Sequence, residues 1–236
     1  MSGHSKWSTI KRKKGAKDAK RGAVFSRLSK DITLAARDGG SDLNMNAALR
    51  LLVKKAKASN MPNDNIDRAI KKGTGDLAGV KYESYIYEGY GPYGVALLIE
   101  VLTDNKNRTV PEIRHLLTKN NGNLGESGCV SWMFEKKGMI LIKKNNLNEE
   151  TFLSDLFDLE VEDFEEHDDE YEIFVKPEEF TVITTSLESK GYQIEGNLSL
   201  MPINIIEIDN HQSDKIVQLI ESLEEHDDVQ KVHANL

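Results

Sequence analysis

The chain has 236 residues and a mass of 26.5 kDa, which at about 100–200 residues per domain points to more than one domain. It contains one cysteine, Cys129. A single thiol excludes an internal disulfide framework and any zinc site built on several cysteines, and fits a reducing, cytoplasmic setting. No apolar run approaches the roughly 20 residues of a membrane span, and the N-terminus lacks the apolar stretch of a secretory signal, so no membrane partner is expected.

The net charge of −8 hides a strong asymmetry. Residues 1–75 carry 18 Lys+Arg against 6 Asp+Glu, whereas the remainder carries 13 against 33. A basic module joined to an acidic body points to a polyanion partner.

Residues 1–17 read as a basic arm poor in apolar side chains, with Lys6, Lys11, Arg12, Lys13, Lys14 and Lys17 around Trp7. Such a segment cannot offset its ordering entropy by itself and is expected to order only against a partner. A helix is expected over 18–38, with Val24, Phe25, Leu28, Ile32 and Ala35 on one face and Lys20, Arg27, Lys30 and Arg37 on another. A second helix, 43–58, places Met45, Leu49, Leu52, Val53 and Ala56 inward and Arg50, Lys54 and Lys57 outward. A third opens at Pro62-Asn63 and closes at Gly73.

From about residue 82 the period changes to that of strands. Strands are expected at 82–88 and 95–102, a helix from Thr109 with the capping-box spacing Thr109-x-x-Glu112, and a strand at 130–134. The stretch 138–199 then reads strand, helix, strand, strand, helix, strand, which is the ferredoxin-like order. Strand 203–208, helix 212–225 and strand 229–233 complete a second such unit begun at 95–134. The expected fold class is α+β: an N-terminal three-helix bundle, then two ferredoxin-like units with the second inserted into the first. The expected domains are 1–77, a discontinuous 78–134 with 201–236, and an acidic insert 135–200. The five prolines, 62, 92, 111, 177 and 202, all fall at turns or element starts.

Gly89-Tyr90-Gly91-Pro92-Tyr93-Gly94 matches the dinucleotide fingerprint in letters. That fingerprint needs a helix directly after the glycines; an apolar strand follows here, so a hairpin turn is expected and no cofactor. Glu-Glu-His-Asp-Asp occurs at 165–169 and again at 224–228. Both copies read as solvated acidic turns rather than metal sites, and a metal-dependent nuclease using Asp168, Asp169, Asp227 and Asp228 is the weakest of three functional readings. Residues 149–179 hold 15 acidic residues and one basic, Lys176, a composition that repels nucleic acid and keeps a surface solvated. Nothing places Cys129 or a histidine beside an orienting acid, so no nucleophilic catalysis and no small-molecule substrate are expected.

The basic N-terminus carries the functional signal. Lys and Arg neutralise phosphates, and Trp7 can stack on an exposed base. The expected nucleic-acid-binding set is Lys6, Trp7, Lys11, Arg12, Lys13, Lys14, Lys17, Lys20, Arg27, Lys30, Arg50, Lys54 and Lys57. Asn105, Lys106, Asn107 and Arg108 form a second candidate contact site, with a capped, hydrogen-bonded loop as the alternative.

Several segments carry a resemblance: Gly3-His4-Ser5-Lys6-Trp7-Ser8-Thr9-Ile10-Lys11, Asn60-Met61-Pro62-Asn63-Asp64-Asn65-Ile66, Tyr87-Glu88-Gly89-Tyr90-Gly91-Pro92, Leu102-Thr103-Asp104-Asn105-Lys106-Asn107-Arg108-Thr109 and Asn123-Leu124-Gly125-Glu126. With them the chain resembles the YebC/PmpR family, relatives of the mitochondrial translational activators of cytochrome c oxidase. Tyr93 departs from the pattern, where glycine is common. The resemblance implies a three-domain cytoplasmic protein without a cofactor. It implies DNA binding and transcriptional regulation for many bacterial members. For others it implies action on ribosomal RNA within the ribosome, including relief of stalling at proline runs. Phosphate contacts suit either polyanion, and no helix shows the Asn, Gln and Arg set of a selective base reader.

Overall fold

A computed structural model of the chain describes residues 21–77, 81–144 and 147–236. In chain order its elements are α1 (Arg21–Gly39), α2 (Ala47–Ala58), α3 (Asn63–Thr74), β1 (Glu83–Tyr90), β2 (Ala96–Thr103), α4 (Lys106–Lys119), β3 (Asn123–Leu124), β4 (Phe134–Lys143), α5 (Glu149–Phe157), β5 (Asp163–Glu166), β6 (Glu170–Val175), α6 (Phe180–Ser189), β7 (Ile194–Pro202), α7 (Asn210–Glu224) and β8 (Val229–Ala234). Among the described residues, 21–131 with 206–234 make one compact unit, and 132–205 with 235–236 make another.

In the first unit, α1, α2 and α3 close on a core of Leu28, Ile32, Leu49, Val53, Ala56, Met61 and Ile66. The expected inward faces are recovered with one exception, Met45, which is 83% exposed. The second helix begins later than its apolar pattern suggests. Asn46 is its N-cap, accepting from the Leu49 N–H at 3.0 Å, so Met45 falls before the first turn. Gly73 does not end α3; the left-handed cap is Gly75, φ 85°. Gly73 lies inside the helix, where a Cβ would collide with the Thr33 carbonyl of α1. Its smallness lets two helices touch.

The same unit holds an antiparallel sheet of order β3-β1-β2-β8. β1 and β2 form a hairpin registered from Glu83↔Thr103 to Tyr90↔Ala96. Its turn confirms that no helix follows the glycines. Tyr93 sits there at φ 64° and ψ 16°, the left-handed region in which glycine is the unstrained choice. Residues 203–209 form no strand, contrary to expectation. β1 and β8 already occupy the two sides of β2, so the place expected for 203–208 is filled by the hairpin partner. The expected strand 130–134 is also corrected: Ser131–Met133 is a 3-10 turn. The Val130 and Ser131 N–H groups, with that of Gly128, donate to the buried Glu88 carboxylate at 2.7–2.8 Å rather than to a neighbouring strand. Burial of Glu88 opposes ionisation, but these three donors outweigh it and hold its carboxyl below the usual range.

The second unit is ferredoxin-like. Its antiparallel sheet has the order β5-β6-β4-β7, with α5 joining β4 to β5 and α6 joining β6 to β7. Ile140, Ile142, Phe152, Tyr171, Ile173, Ile183 and Leu187 form its core. The long pair β4–β7 starts at Phe134↔Pro202. In sequence this sheet lies between β3 and β8, so the strands of the other sheet come from both sides of it.

The described bundle core is built from residues 28–69, and this core from residues 140–187. A chain in which a short linker replaces residues 135–200 is therefore expected to remain folded. Far-UV circular dichroism should retain a cooperative thermal transition; a non-cooperative, coil-like product would show that the units share one core.

Candidate nucleic-acid interface

The bundle builds its basic surface mainly on α2. Leu49, Val53 and Ala56 are buried, which turns Arg50, Lys54 and Lys57 outward at i, i+4 and i+7. All three are exposed, as is Lys55. The Arg50 guanidinium also donates to the Leu43 and Asn44 carbonyls at 2.9 and 3.3 Å, which fixes it at the head of the helix. On α1, Arg37 is exposed and paired with Asp38 at 2.9 Å. Lys6, Trp7, Lys11, Arg12, Lys13, Lys14, Lys17 and Lys20 lie outside the described residues.

Two expected contact residues are placed differently. Arg27 and Lys30 do not line an outer face of the bundle; they point into the rest of the same unit. Arg27 donates to the Glu224 carbonyl at 2.9 Å, in the last turn of α7, where a cation satisfies an orphan acceptor and meets the negative end of the helix dipole. Lys30 is 8% exposed. Its ammonium donates to the Leu102 and Asp227 carbonyls at 3.2 and 2.8 Å and pairs with Asp228 Oδ1 at 2.5 Å. A buried ammonium keeps its charge only with such partners, and here they come from the end of β2 and from the loop before β8.

Asp228 is the centre of this network. Its Oδ2 accepts from Arg108 at 2.7 Å, Thr109 at 2.7 Å and Thr103 at 3.0 Å. Burial pushes its carboxyl up, but Lys30, Arg108 and Thr109 together hold it far below the usual range. The second candidate contact site adjoins this network. Asn105 caps α4 by accepting from the Arg108 N–H at 3.2 Å, so the helix starts at Lys106, ahead of the expected Thr109. Thr109 is buried and bonded to Asp228. Arg108 bridges Asp104 and Asp228. Lys106 and Asn107 are exposed, the Lys106 ammonium 4.8 Å from the centroid of the Tyr85 ring.

The acidic motif copies take unlike roles. In the first, Glu165, His167 and Glu172 bring ligand-type atoms within 4.8 Å of one another, and His167 bonds Glu172 at 3.0 Å. In the second, His226 bonds Glu112 at 2.8 Å and Asp228 belongs to the network above. Burial, followed by the nearby Glu88, pushes the Cys129 thiol up, away from the reactive thiolate form. No helix among the described residues is long and apolar enough to cross a membrane.

Family models place this arrangement. The TACO1/YebC N-terminal domain matches residues 5–76, and the TACO1/YebC second and third domains match residues 82–236. The chain belongs to the TACO1/YebC family. Similar relatives include proteins named probable transcriptional regulatory protein. One from Desulfotalea psychrophila (strain LSv54 / DSM 12343) is 52% identical, the match covering 100% of this chain and 95% of that one. One from Geobacter sulfurreducens (strain ATCC 51573 / DSM 12127 / PCA) is 51% identical with the same coverage. The crystal structure of a conserved hypothetical protein from Aquifex aeolicus is similar with a TM-score of 0.80 and 43% identity, over 92% of this chain and 90% of that one. The family model for the N-terminal domain spans the arm and all of α1, α2 and α3.

Proposed function

We propose that the chain is a non-enzymatic regulator of gene expression that binds nucleic acid through its N-terminal module, acting on DNA as a transcriptional regulator in the cytoplasm, without cofactor or small-molecule substrate. The observation that carries this reading is the row of exposed cations on α2, Arg50, Lys54 and Lys57, in a module of 18 basic and 6 acidic residues. Cations at helical spacing above a packed core meet a phosphate backbone and release its counterions. The family relatives named as transcriptional regulators support the same reading. The contacting set is the arm, Arg50, Lys54 and Lys57; Arg27 and Lys30 leave it because internal carbonyls and Asp228 hold them. These cations position the protein on a backbone and carry no sequence information themselves.

Crosslinking in cells, followed by sequencing of both bound DNA and bound RNA, tests the proposal. Enrichment of duplex DNA at discrete loci is expected. Enrichment confined to ribosomal RNA would overturn the DNA form and place the same surface on the ribosome. Trp7→Ala separates the two in vitro. It is expected to leave duplex DNA affinity almost unchanged, while an indole that stacks on an unpaired base would cost about 1–3 kcal/mol on single-stranded RNA.

A further inference from the structure

Two adjoining clefts between α1 and α3 share Thr33, Lys72 and Tyr82. One, of about 260 Å³, is lined by Phe25, Ser29, Asn65 and Arg68 besides these. The other, of about 210 Å³, adds Arg37 and Lys81. Among the described residues no carboxylate lines either cleft. A third cleft, which Tyr82 also borders, is lined by five carboxylates, among them Asp104 and Asp228, and also by Lys30, Arg108 and His226. Tyr82 thus lies between a groove lined by cations without carboxylates and a cleft of mixed charge within the same unit.

The cations of the groove follow from α3. Ile66 and Ala69 are buried in the bundle, and Arg68 and Lys72, one turn apart, come out together on the flank beside α1. Neither forms an ion pair with any described carboxylate, in contrast with Arg37 and Lys81, which pair with Asp38 and Glu83. Ser26, Ser29 and Asn65 add hydroxyl and amide groups. Phe25 and Tyr82 add aromatic rings, and the Lys30 ammonium, 5.7 Å from the Tyr82 ring centroid, steadies that ring. Cations, neutral hydrogen-bonding groups and an aromatic ring, with acids excluded, are the components of a single-strand nucleotide seat.

We infer that this groove holds one unpaired nucleotide of a nucleic-acid strand, its phosphate on Arg68 and Lys72 and its base against Tyr82. The inference rests on the N-terminal module being the nucleic-acid surface and adds a second contact to it, on the α1–α3 flank in addition to α2. It gives the protein a preference for strands with an unstacked base, which the cations of α2 alone do not supply.

The test uses the full chain and a labelled 15-nucleotide single strand of mixed sequence carrying 5-iodouracil, with the same sequence as a duplex for comparison. Irradiation of the parent protein on the single strand, followed by peptide mass mapping, is expected to place the crosslink on Tyr82 or Phe25. Arg68→Ala with Lys72→Ala should weaken single-strand binding and flatten the slope of log affinity against log salt by about 1.4, at roughly 0.7 per contact. Tyr82→Leu should weaken it between about 5- and 150-fold, while Tyr82→Phe keeps the ring and the affinity. Crosslinks confined to other residues overturn the inference, and that readout needs no variant to fold. Groove variants that melt like the parent and bind with its affinity and slope also overturn it. If Arg50→Ala, Lys54→Ala and Lys57→Ala together weaken binding while the groove variants do not, the groove is excluded and the α2 surface stands. A parent that binds neither strand nor duplex removes both. Competition by free thymidine monophosphate at micromolar concentration would reveal a mononucleotide site and overturn the strand assignment.

Discussion

Asp228→Asn is expected to lower the unfolding free energy by about 3–5 kcal/mol, the usual cost of breaking a buried ion pair from one side. The loss is large because the Lys30 ammonium stays behind, 8% exposed, with two carbonyls and no counter-charge. Lys30→Met should cost less. It leaves Asp228 with Arg108, Thr109 and Thr103, three donors that keep the carboxylate satisfied. The pair Lys30→Met with Asp228→Asn should recover much of the single-mutant loss, since it leaves neither an ammonium nor a carboxylate in the interior without its partner. Urea unfolding of the four proteins, analysed as a double-mutant cycle, checks this; additive losses would show that the two residues are not coupled.

Two buried carboxylates set an acid limit. Asp228 and Glu88 both have folded-state pKa values below the ordinary carboxylate value. Each therefore contributes stability that is fully present above the unfolded value, near pH 4, and is lost as pH falls below it toward the folded value. Thermal midpoints should be flat from neutrality to about pH 5 and fall below about pH 4. In Asp228→Asn that fall should be shallower, as one of its causes is gone.

Local pattern made most of this fold legible, and long-range pairing made the rest illegible. The buried faces of α2 and α3 follow from 3.6-residue spacing, a property of a few consecutive residues. Sheet order is not local. Residues 203–208 alternate like a strand, yet β2 has no free side left for them once β1 and β8 are paired. The candidate site divides in the same way. Arg50, Lys54 and Lys57 are outward because their own helix says so. Lys30 looks equally outward on α1 until Asp228, 198 residues away, meets its ammonium. Arg68, Lys72 and Tyr82 are illegible as a group in the sequence for a related reason. The i, i+4 cations were visible in the sequence, but the aromatic that faces them lies beyond the link to the first strand. Glu88, inside the Tyr87–Pro92 motif, turned out to anchor a loop through three backbone donors, something that no residue pattern signals.

The second large effect concerns binding. Replacing Lys11, Arg12, Lys13, Lys14, Arg50, Lys54 and Lys57 with glutamine removes four of the six arm cations and the α2 row while leaving the bundle core and the Lys30–Asp228 pair untouched. Each phosphate contact contributes about 0.9 to the slope of log affinity against log salt on duplex DNA. If each cation meets one phosphate, the variant should lose about six units of slope and several orders of magnitude in affinity at low salt. The loss should be nearly the same on unrelated duplex sequences, because backbone contacts do not read bases. The salt titration of parent and seven-site variant on one duplex, with matched melting temperatures as the folding control, is the most direct measurement of the central claim. A flattened slope with weakened binding is the predicted result. Binding as tight as the parent's, with the same slope, would contradict it and show that the seven cations of the arm and α2 are not the nucleic-acid surface.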